Sequence, residues 1–394
     1  MQSFVQYTPT KVVFGKDTQK EAGKLAGELG AKKVFLVYGG GSVVRSGLLD
    51  EIKKSLDEEH ISYEELGGVK PNPRLALARE GVKKAIAFDA DLILAVGGGS
   101  AIDTAKGIAI GAANPDTDIW EFWKGKKEIK NVLPVGAVLT IAAAGSEMSD
   151  SSVLTNEETE EKAGTHSDLI RPKFAIMNPE LTYTLPKYQL TCGIVDIFMH
   201  TIERYFTPVQ GNELTDEIAE GVMRTLIRNA VKAYENQEDY DAMSEIMWCG
   251  SVSHNGITGL GRPKDFLCHK LGHQLSAKFD EAHGATLSAV WGSWARYVYH
   301  LDVARFANYG RKVWNIDEEN DEKAAVAAIE RTEEFFRSLK MPTCLGDMEM
   351  GVQPEEVLKE MAGKATAGDT VKVGVFQKMG EKELYEIYKA ANHR

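Results

Sequence analysis

The feature that most constrains the fold is an apolar strand pattern followed at once by a glycine-rich turn and a helix. Residues 92–96 are continuously apolar, residues 97–103 read GGGSAID, and small residues suited to a helix follow over 101–112. A run apolar at every position is typical of a strand buried on both faces. An earlier run, KKVFLVYGGGSV, repeats the order of strand, glycines and helix. These alternating elements predict a parallel sheet covered by helices.

The second half of the chain has a different pattern. From residue 187 onward prolines are sparse and apolar residues recur at helical spacing, which predicts a mostly helical region. The segment PKFAIMNPEL reads as the last strand of the first half, so we predict an α/β domain at 1–185 and a helical domain at 186–394. Residues 4–14 alternate weakly around Pro9 and predict a hairpin or an edge strand.

Composition excludes several function classes. The chain carries a net charge of −12, which disfavours binding to nucleic acid or to an anionic membrane. No run of about 18 apolar residues is present, so no membrane span is predicted. The four cysteines form no CxxC pair and read as reduced thiols, and the N-terminus lacks the pattern of a signal peptide. We therefore expect a cytoplasmic protein.

The GGGSAID turn is a candidate phosphate site. Glycines let backbone N–H groups approach a pyrophosphate, and the N-terminus of the following helix favours an anion. Ser100 is predicted to cap that helix, with Asp103 returning a hydrogen bond to the cap. The same pattern is typical of a tight strand-to-helix turn without a ligand, and it is not the GxGxxG fingerprint.

The first glycine turn bears on the choice of cofactor. An acidic residue at the end of such a strand would bind the ribose 2′-hydroxyl of NAD, and residues 36–46 contain none. Gly39, Gly40 and Ser42, with Arg45 beyond them, instead offer donors to a 2′-phosphate. This pattern favours NADP over NAD, with a plain turn and a surface arginine as the alternative.

Histidines concentrate in residues 268–287, which hold three of the nine in the chain. His269 and His273 are one helical turn apart, and His283 follows ten residues later. Asp196 and His200 form a second i, i+4 pair on an apolar helix. Alone, that pair is also typical of a surface ion pair or a core hydrogen bond. Together, the two segments predict a metal site with five candidate ligands.

Three motifs, GGGSAIDTAK, GIVDIFMHTIE and HKLGHQLSAKFDEAHG, resemble the iron-containing (group III) alcohol dehydrogenase family. The chain is most similar to the butanol dehydrogenase and NADPH-dependent aldehyde reductase branch. The resemblance implies the dehydroquinate synthase-like, iron-dependent alcohol dehydrogenase fold. In that fold an N-terminal dinucleotide-binding α/β domain and a C-terminal helical domain have the active site in the cleft between them.

The resemblance also implies site residues. It makes Asp196, His200, His269 and His283 the metal ligands and places His273 beside the nicotinamide, with a catalytic or positioning role. It implies cofactor contacts at Gly98, Gly99, Ser100, Asp103, Asn72, Thr140, Val153, Lys162 and Leu181.

The implied activity is hydride transfer between nicotinamide C4 and a small primary alcohol or aldehyde such as butanol or butanal. Fe(II) is the expected metal, with Zn(II) suited to the same ligands. A homodimer is expected. A polyol dehydrogenase of the glycerol or lactaldehyde type is the near alternative. A dehydroquinate synthase-type lyase and a non-enzymatic metal- or nucleotide-binding protein are more distant ones.

Overall fold

The computed structural model describes all residues 1–394, which fold as two compact units. Tyr7–Leu185 form an α/β unit, and Pro186–Arg394 together with Met1–Gln6 form a helical unit. The first six residues therefore pack with the helical unit, whereas the sequence-based boundary placed them in the first domain. Their attachment includes a hydrogen bond from the Gln2 N–H to the Gly261 carbonyl oxygen at 2.8 Å.

Eight strands form two sheets in the α/β unit. They are β1 (Lys11–Phe14), β2 (Lys33–Gly39), β3 (Ser62–Val69), β4 (Leu92–Gly97), β5 (Val135–Leu139), β6 (Ser151–Asn156), β7 (Glu161–His166) and β8 (Phe174–Met177). Six of them make a sheet in the order β1-β8-β5-β4-β2-β3, in which every neighbouring pair is parallel. Strands β6 and β7 pair antiparallel as a separate hairpin.

Helices cover both faces of the six-stranded sheet, as a parallel sheet requires. They are α1 (Ala22–Glu28), α2 (Ser42–Arg45), α3 (Leu48–Glu58), α4 (Leu75–Phe88), α5 (Gly99–Ala112) and α6 (Trp120–Trp123). Residues 92–96, the run that most constrained the fold, form the core of β4 and are all 0% exposed. The predicted parallel α/β architecture is confirmed.

The strand order of this sheet reverses at β2. The chain runs from β2 outward to β3 and then returns to β4 on the other side of β2. Ligands of open parallel sheets bind outside the carboxyl ends of the strands where the order reverses in this way. Both glycine-rich turns, after β2 and after β4, lie at that point.

The helical unit contains nine helices. They are α7 (Lys187–Tyr205), α8 (Glu213–Glu235), α9 (Tyr240–His254), α10 (Leu267–Phe279), α11 (His283–Val298), α12 (Val303–Trp314), α13 (Asp321–Ser338), α14 (Glu355–Ala365) and α15 (Glu381–Ala391). Helix α7 is the central one, because every residue from Gly193 to Tyr205 is buried. Trp291 and Trp294 on α11 are at most 1% exposed and lie in the core of this unit.

The prediction for residues 4–14 was partly wrong. Only Lys11–Phe14 form a strand, and it lies parallel to β8 at the sheet edge, not in a hairpin. The residues before it have no regular secondary structure. No helix combines the length and the apolar character that crossing a membrane would need.

Candidate metal centre and cofactor-binding edge

Four side chains from three helices of the helical unit converge on one point. Helix α7 contributes Asp196 and His200 from consecutive turns, α10 contributes His269, and α11 begins at His283. The Nε2 atoms of the three histidines lie 3.5, 3.7 and 3.8 Å from Asp196 Oδ1, in chain order. The Nε2 atoms of His200 and His269 are 3.2 Å apart.

These separations fit a divalent cation. Metal–ligand bonds of about 2.1 Å in a tetrahedron place neighbouring donor atoms about 3.4 Å apart. Asp196 Oδ1 is buried and has no hydrogen-bond partner, although an unsatisfied buried carboxylate oxygen is costly. Asp196, His200 and His269 each present a ligand atom within 4.8 Å of the others. The donor set of one carboxylate and imidazoles suits borderline metals such as Fe(II) and Zn(II).

A glycine brings the start of α11 close to α7. A Cβ added at Gly284 would lie 2.1 Å from the carbonyl oxygen of Cys192 on α7, so only glycine permits this contact. The adjacent His283 is thereby held next to Asp196, which lies one turn beyond Cys192. The HG dipeptide that starts α11 thus supplies both a donor and the close approach that positions it.

His273 lies beside this group. Its ring centroid is 6.4 Å from that of His269 and 5.2 Å from that of His283, and its side chain is partly exposed. The structure therefore places His273 in the same cluster of rings, one helical turn beyond His269. Its expected role as a neighbour and not a ligand stays a prediction.

Two charged residues that the sequence analysis did not single out contact the outer nitrogens of the histidines. Glu203 Oε2 pairs with Nδ1 of His269, while its Oε1 accepts hydrogen bonds from the N–H groups of Cys268 at 2.7 Å and His269 at 3.2 Å. Arg204 Nη1 lies 3.1 Å from Nδ1 of His200 and donates to the His200 carbonyl oxygen at 2.5 Å. Their signal in the sequence is the charged pair ER on an otherwise apolar helix, one turn after His200.

The pKa values of these two histidines shift in opposite directions. Burial lowers the pKa of His269, but the carboxylates of Glu203 and Asp196 outweigh it and raise the value to about 9. Burial, followed by the neighbouring His254, His269 and Arg204, holds the pKa of His200 well below its ordinary value. The cluster is therefore electrostatically asymmetric.

The rings of His254 and Phe266 also border the cluster, and neither residue was predicted from the sequence to lie there. The ring of His254, the last residue of α9, lies 4.1 Å from that of His200. The Phe266 ring lies 5.6 Å from that of His200 and 5.0 Å from that of His269, in edge contacts. Phe266 has a φ of 55°, an uncommon conformation for a bulky residue, at the N-cap of α10. The contacts of these rings depend on tertiary packing, which no spacing in the sequence reveals.

Most of the predicted cofactor residues of the α/β unit lie at the carboxyl-terminal ends of the strands, which we call the cofactor-binding edge of the sheet. Gly39, Gly40 and Ser42 end β2 and begin α2; Gly98, Gly99 and Ser100 join β4 to α5; Thr140 follows β5; Leu181 follows β8; and Asn72 follows β3. Because all six strands are parallel, their carboxyl ends share that edge. The sheet therefore brings together residues that are up to 142 positions apart in the chain.

Two predicted contacts reach this edge from the hairpin. Val153 lies on β6 and Lys162 on β7. Lys162 Nζ donates a hydrogen bond to Asn72 Oδ1 at 2.9 Å. This bond links the hairpin to the segment after β3, where Asn72 adopts a φ of 53°.

The predicted capping arrangement of α5 was wrong. The N-cap is Gly98, with no side-chain cap, and Ser100 is already inside the helix. Asp103 instead accepts hydrogen bonds from the Ser146 hydroxyl at 2.5 Å and the Val153 N–H at 2.9 Å. Its carboxylate oxygens are thus tied to a distant segment, and burial raises its pKa against the opposing effects of Lys106 and Ser146.

Lys106, the last residue of the GGGSAIDTAK motif, organises the same region. It is 0% exposed, and its Nζ contacts five oxygens, the carbonyl oxygens of Ser146, Ser149 and Ser151 and the hydroxyls of Ser146 and Ser149. Burial lowers the pKa of Lys106 to about 8, against the influence of Asp103 and two other carboxylates. We interpret this lysine as the residue that fixes the loop before β6, not as a ligand contact.

Arg45 points toward the first glycine turn. Its Nη1 lies 3.2 Å from the position that a Cβ would occupy at Gly41, whose φ is 109°. The guanidinium therefore folds back over the turn instead of extending away from it. A planar donor at this place suits a phosphate group.

Known proteins resemble this chain over nearly its whole length. The family described as iron-containing alcohol dehydrogenase matches residues 9–179, and the C-terminal domain of the Fe-containing alcohol dehydrogenase family matches residues 191–392. NADH-dependent butanol dehydrogenase A of Clostridium acetobutylicum is 38% identical over 391 residues, covering 99% of both chains. NADPH-dependent aldehyde reductase YqhD of Escherichia coli K12 is 37% identical over 353 residues, covering 88% of this chain and 89% of the relative.

Solved structures also resemble this chain over nearly its whole length. The crystal structure of an NADH-dependent butanol dehydrogenase A from Thermotoga maritima superposes with a TM-score of 0.95 at 35% identity, covering 100% of this chain and 99% of the other. A structure of YqhD from E. coli K-12 gives a TM-score of 0.93 at 34% identity, covering 99% of both chains. The expected fold is thereby confirmed, and the chain belongs to the iron-containing alcohol dehydrogenase family.

Proposed function

We propose that this chain is a metal-dependent alcohol dehydrogenase and aldehyde reductase that uses a nicotinamide cofactor. It would transfer a hydride between nicotinamide C4 and a small primary alcohol or aldehyde such as butanol or butanal. The observation that carries the proposal is the buried Asp196 Oδ1, which has no hydrogen-bond partner and lies within 3.8 Å of three histidine Nε2 atoms. The butanol dehydrogenases and the aldehyde reductase among its relatives support the reaction class.

Asp196, His200, His269 and His283 would hold the metal. A divalent ion, when bound, supplies Lewis acidity that polarises a carbonyl oxygen. The chain's own contribution is a donor set in which Asp196, His200 and His269 are each at most 7% exposed, which limits competition from bulk water. We assign His273 either to proton relay or to positioning the nicotinamide, because it is the histidine of the cluster that resemblance places outside the ligand set.

For the metal we propose Fe(II), with Zn(II) as the alternative that the same donors accommodate. For the cofactor we propose NADP, with NAD as the alternative. The guanidinium of Arg45 over the Gly41 turn supports NADP, since it can pair with a 2′-phosphate. The names of the relatives support either choice, as they include both NADH-dependent and NADPH-dependent enzymes.

We further propose a cytoplasmic homodimer. The N-terminal segment supports an assembly of two copies, because Phe4 is 49% and Val5 is 88% exposed in a stretch without regular secondary structure. Exposed apolar side chains next to one another are typical of interaction sites. Sedimentation equilibrium would give twice the 43.3 kDa chain mass for a dimer.

The test is oxidation of NADPH and NADH, followed by absorbance, in the presence of butanal, propanal or glyceraldehyde. The protein is first reconstituted with Fe(II) under anaerobic conditions or with Zn(II), and Asp196→Ala serves as the matched control. We expect the highest kcat/KM with butanal and NADPH, and negligible turnover by the variant.

The outcomes separate the alternatives. Preference for glyceraldehyde would indicate a polyol dehydrogenase. No aldehyde-dependent oxidation with either metal or cofactor would refute the proposal and favour a non-enzymatic binding protein. A strong preference for NADH would refute the assignment of NADP alone.

A further inference from the structure

Two oppositely charged residues that are adjacent in sequence, Glu203 and Arg204, contact histidines of the cluster. Glu203 is 1% exposed and faces His269, and Arg204 is 2% exposed and faces His200. Both belong to α7, the helix that also carries Asp196. Any role of this pair rests on the proposed metal centre, because the two residues act on the histidines that would bind the ion.

Glu203 determines where His269 carries its proton. One carboxylate oxygen already accepts the N–H groups of Cys268 and His269, so the carboxylate is fixed against the start of α10. The other oxygen meets His269 Nδ1 and, being an acceptor, requires a proton on that nitrogen. A neutral imidazole with its proton on Nδ1 presents a lone pair at Nε2. That is the atom 3.7 Å from Asp196 Oδ1 and 3.2 Å from His200 Nε2.

Arg204 has the opposite effect on His200. A guanidinium stays protonated and can only donate, so Nη1 at 3.1 Å favours a lone pair on His200 Nδ1. In a neutral ring the proton is then on Nε2, the nitrogen that faces Asp196. Ion binding requires that proton to move to Nδ1, where it meets the guanidinium. The positive charge itself also opposes a second cation in a buried site.

The position of Arg204 is well fixed. Its Nη1 donates to the His200 carbonyl oxygen at 2.5 Å, and its guanidinium carbon lies 4.6 Å from the centre of the Phe266 ring. The cation is therefore held beside His200 by a hydrogen bond and a cation–π contact. An arginine placed only for packing would not need to direct a donor at the ring nitrogen.

We propose that Glu203 and Arg204 set the metal affinity of this site in opposite directions. Glu203 is a positioning residue that raises affinity by holding His269 in the ligating tautomer. Arg204 lowers affinity by disfavouring that tautomer of His200 and by its charge.

The test is Zn(II) affinity of the full chain, measured by competition with a chromophoric chelator at pH 7. Glu203→Gln preserves shape but places an amide N–H₂ against His269 Nδ1, so we expect binding weakened about 10- to 100-fold. Arg204→Gln removes the charge and should bind about 3- to 10-fold more tightly, because the repulsion between the guanidinium and the bound cation is lost. Arg204→Lys keeps the charge and should stay within about threefold of wild type.

A spectroscopic measurement tests the tautomer without the metal. In the metal-free protein with ¹⁵N-labelled histidine, the His269 resonances are assigned with His269→Gln and recorded at alkaline pH, where the ring is neutral and carries a single proton. They should show that proton on Nδ1. This measurement needs no variant at Glu203 and therefore holds even if Glu203→Gln fails to fold. Circular dichroism and thermal unfolding of each variant check the fold.

The outcomes distinguish this inference from the function it rests on. Wild-type protein that binds one Zn(II), with loss in Asp196→Ala and affinities shifted as stated, supports both. Normal binding by a folded Glu203→Gln, weaker binding by Arg204→Gln, or a neutral His269 ring with its proton on Nε2 overturns the inference and leaves the metal centre intact. Wild-type protein that binds no Zn(II) more tightly than Asp196→Ala overturns the metal centre itself and the inference with it.

Discussion

The histidine cluster of the helical unit and the glycine-rich edge of the α/β unit prepare for their ligands by different means. The cluster places polar side chains together inside a buried helix bundle and leaves Asp196 Oδ1 without a hydrogen-bond partner. The carboxyl-terminal ends of the strands lack side chains at Gly39, Gly40, Gly98 and Gly99, where the strand order reverses. The histidine cluster offers side-chain atoms that can bind a metal ion. The glycine-rich turns offer space and backbone groups for a cofactor.

This difference teaches how each region should respond to mutation. In the cluster, removing atoms should abolish a function. At the glycine-rich turns, adding atoms should weaken cofactor binding. The charged side chains nearby, Asp103 and Lys106, instead hold the loop before β6. Substitutions in both regions test that contrast.

The largest effect is expected within the cluster, where two histidines one turn apart on α10 should behave differently. His269→Ala removes a donor 3.7 Å from Asp196 Oδ1, so metal affinity should fall more than about 100-fold and kcat/KM about 1,000-fold or more. His273→Ala should keep its metal and lose about 10- to 100-fold in kcat. Metal analysis and steady-state kinetics of both variants check this.

Equal metal loss in the two α10 variants would make His273 a ligand and remove the distinction on which the proposed site depends. Circular dichroism of each variant serves as the control for folding.

The next largest effect is on stability and tests whether Lys106 is structural. Lys106→Met leaves three buried carbonyl oxygens without their donor, which should cost about 2–4 kcal/mol. For a unit of this size the thermal midpoint should fall by roughly 5–10 °C. Differential scanning fluorimetry measures it. Lys84→Met, at a lysine 47% exposed, is the matched control and should change little.

An unchanged midpoint for Lys106→Met would contradict a structural role. Combined with weaker NADPH binding, it would place Lys106 among the cofactor contacts.

A smaller effect is expected from adding one methyl group at the glycine-rich edge. A Cβ at Gly99 would meet only Ser146 Cβ, at 3.9 Å, so the protein itself has room for Gly99→Ala. If a phosphate lies against this turn, NADPH binding should weaken about 10-fold or more, because the added carbon occupies the ligand's place. Fluorescence titration with NADPH measures it, and Gly221→Ala on α8, where a Cβ meets nothing within 4 Å, is the control.

Unchanged NADPH affinity in Gly99→Ala would mean that the turn is only a tight strand-to-helix connection. The contrast between the two regions would then be lost.

The smallest effect concerns cofactor choice. Arg45→Ala removes the guanidinium over Gly41 and should lower kcat/KM with NADPH about 10-fold, because a charge-assisted pair with the 2′-phosphate is lost. The value with NADH should stay within about twofold of wild type, since NADH has no 2′-phosphate. Parallel kinetics with the two cofactors provide the control within one variant, and equal losses with both would refute a 2′-phosphate contact.

The same contrast explains which features were predictable from the sequence. The parallel sheet was predictable because residues 92–96 are apolar at every position, and such a run needs cover on both faces. The proximity of the Asp196–His200 pair to the histidines of residues 268–287 was predictable from their spacing, whereas the predicted division into ligands and a neighbour rests on resemblance. His269–His273 and Asp196–His200 are equivalent pairs on a helical wheel.

Other features depended on contacts between distant parts of the chain. Asp103 was expected to serve the local cap, but Ser146 and Val153, more than 40 residues later, take up its carboxylate. Glu203 was missed because its partner is 66 positions away, on α10. Local propensity cannot foresee such bonds, because tertiary packing decides which acceptor a buried donor reaches.

The central claim is that Asp196 and three imidazoles bind one metal ion. Its most direct test is the metal content of the full chain after reconstitution with Zn(II) and dialysis, measured by inductively coupled plasma mass spectrometry. We expect close to one zinc per wild-type chain and close to none in folded Asp196→Ala. Equal zinc in the two proteins, or none in either, would contradict it.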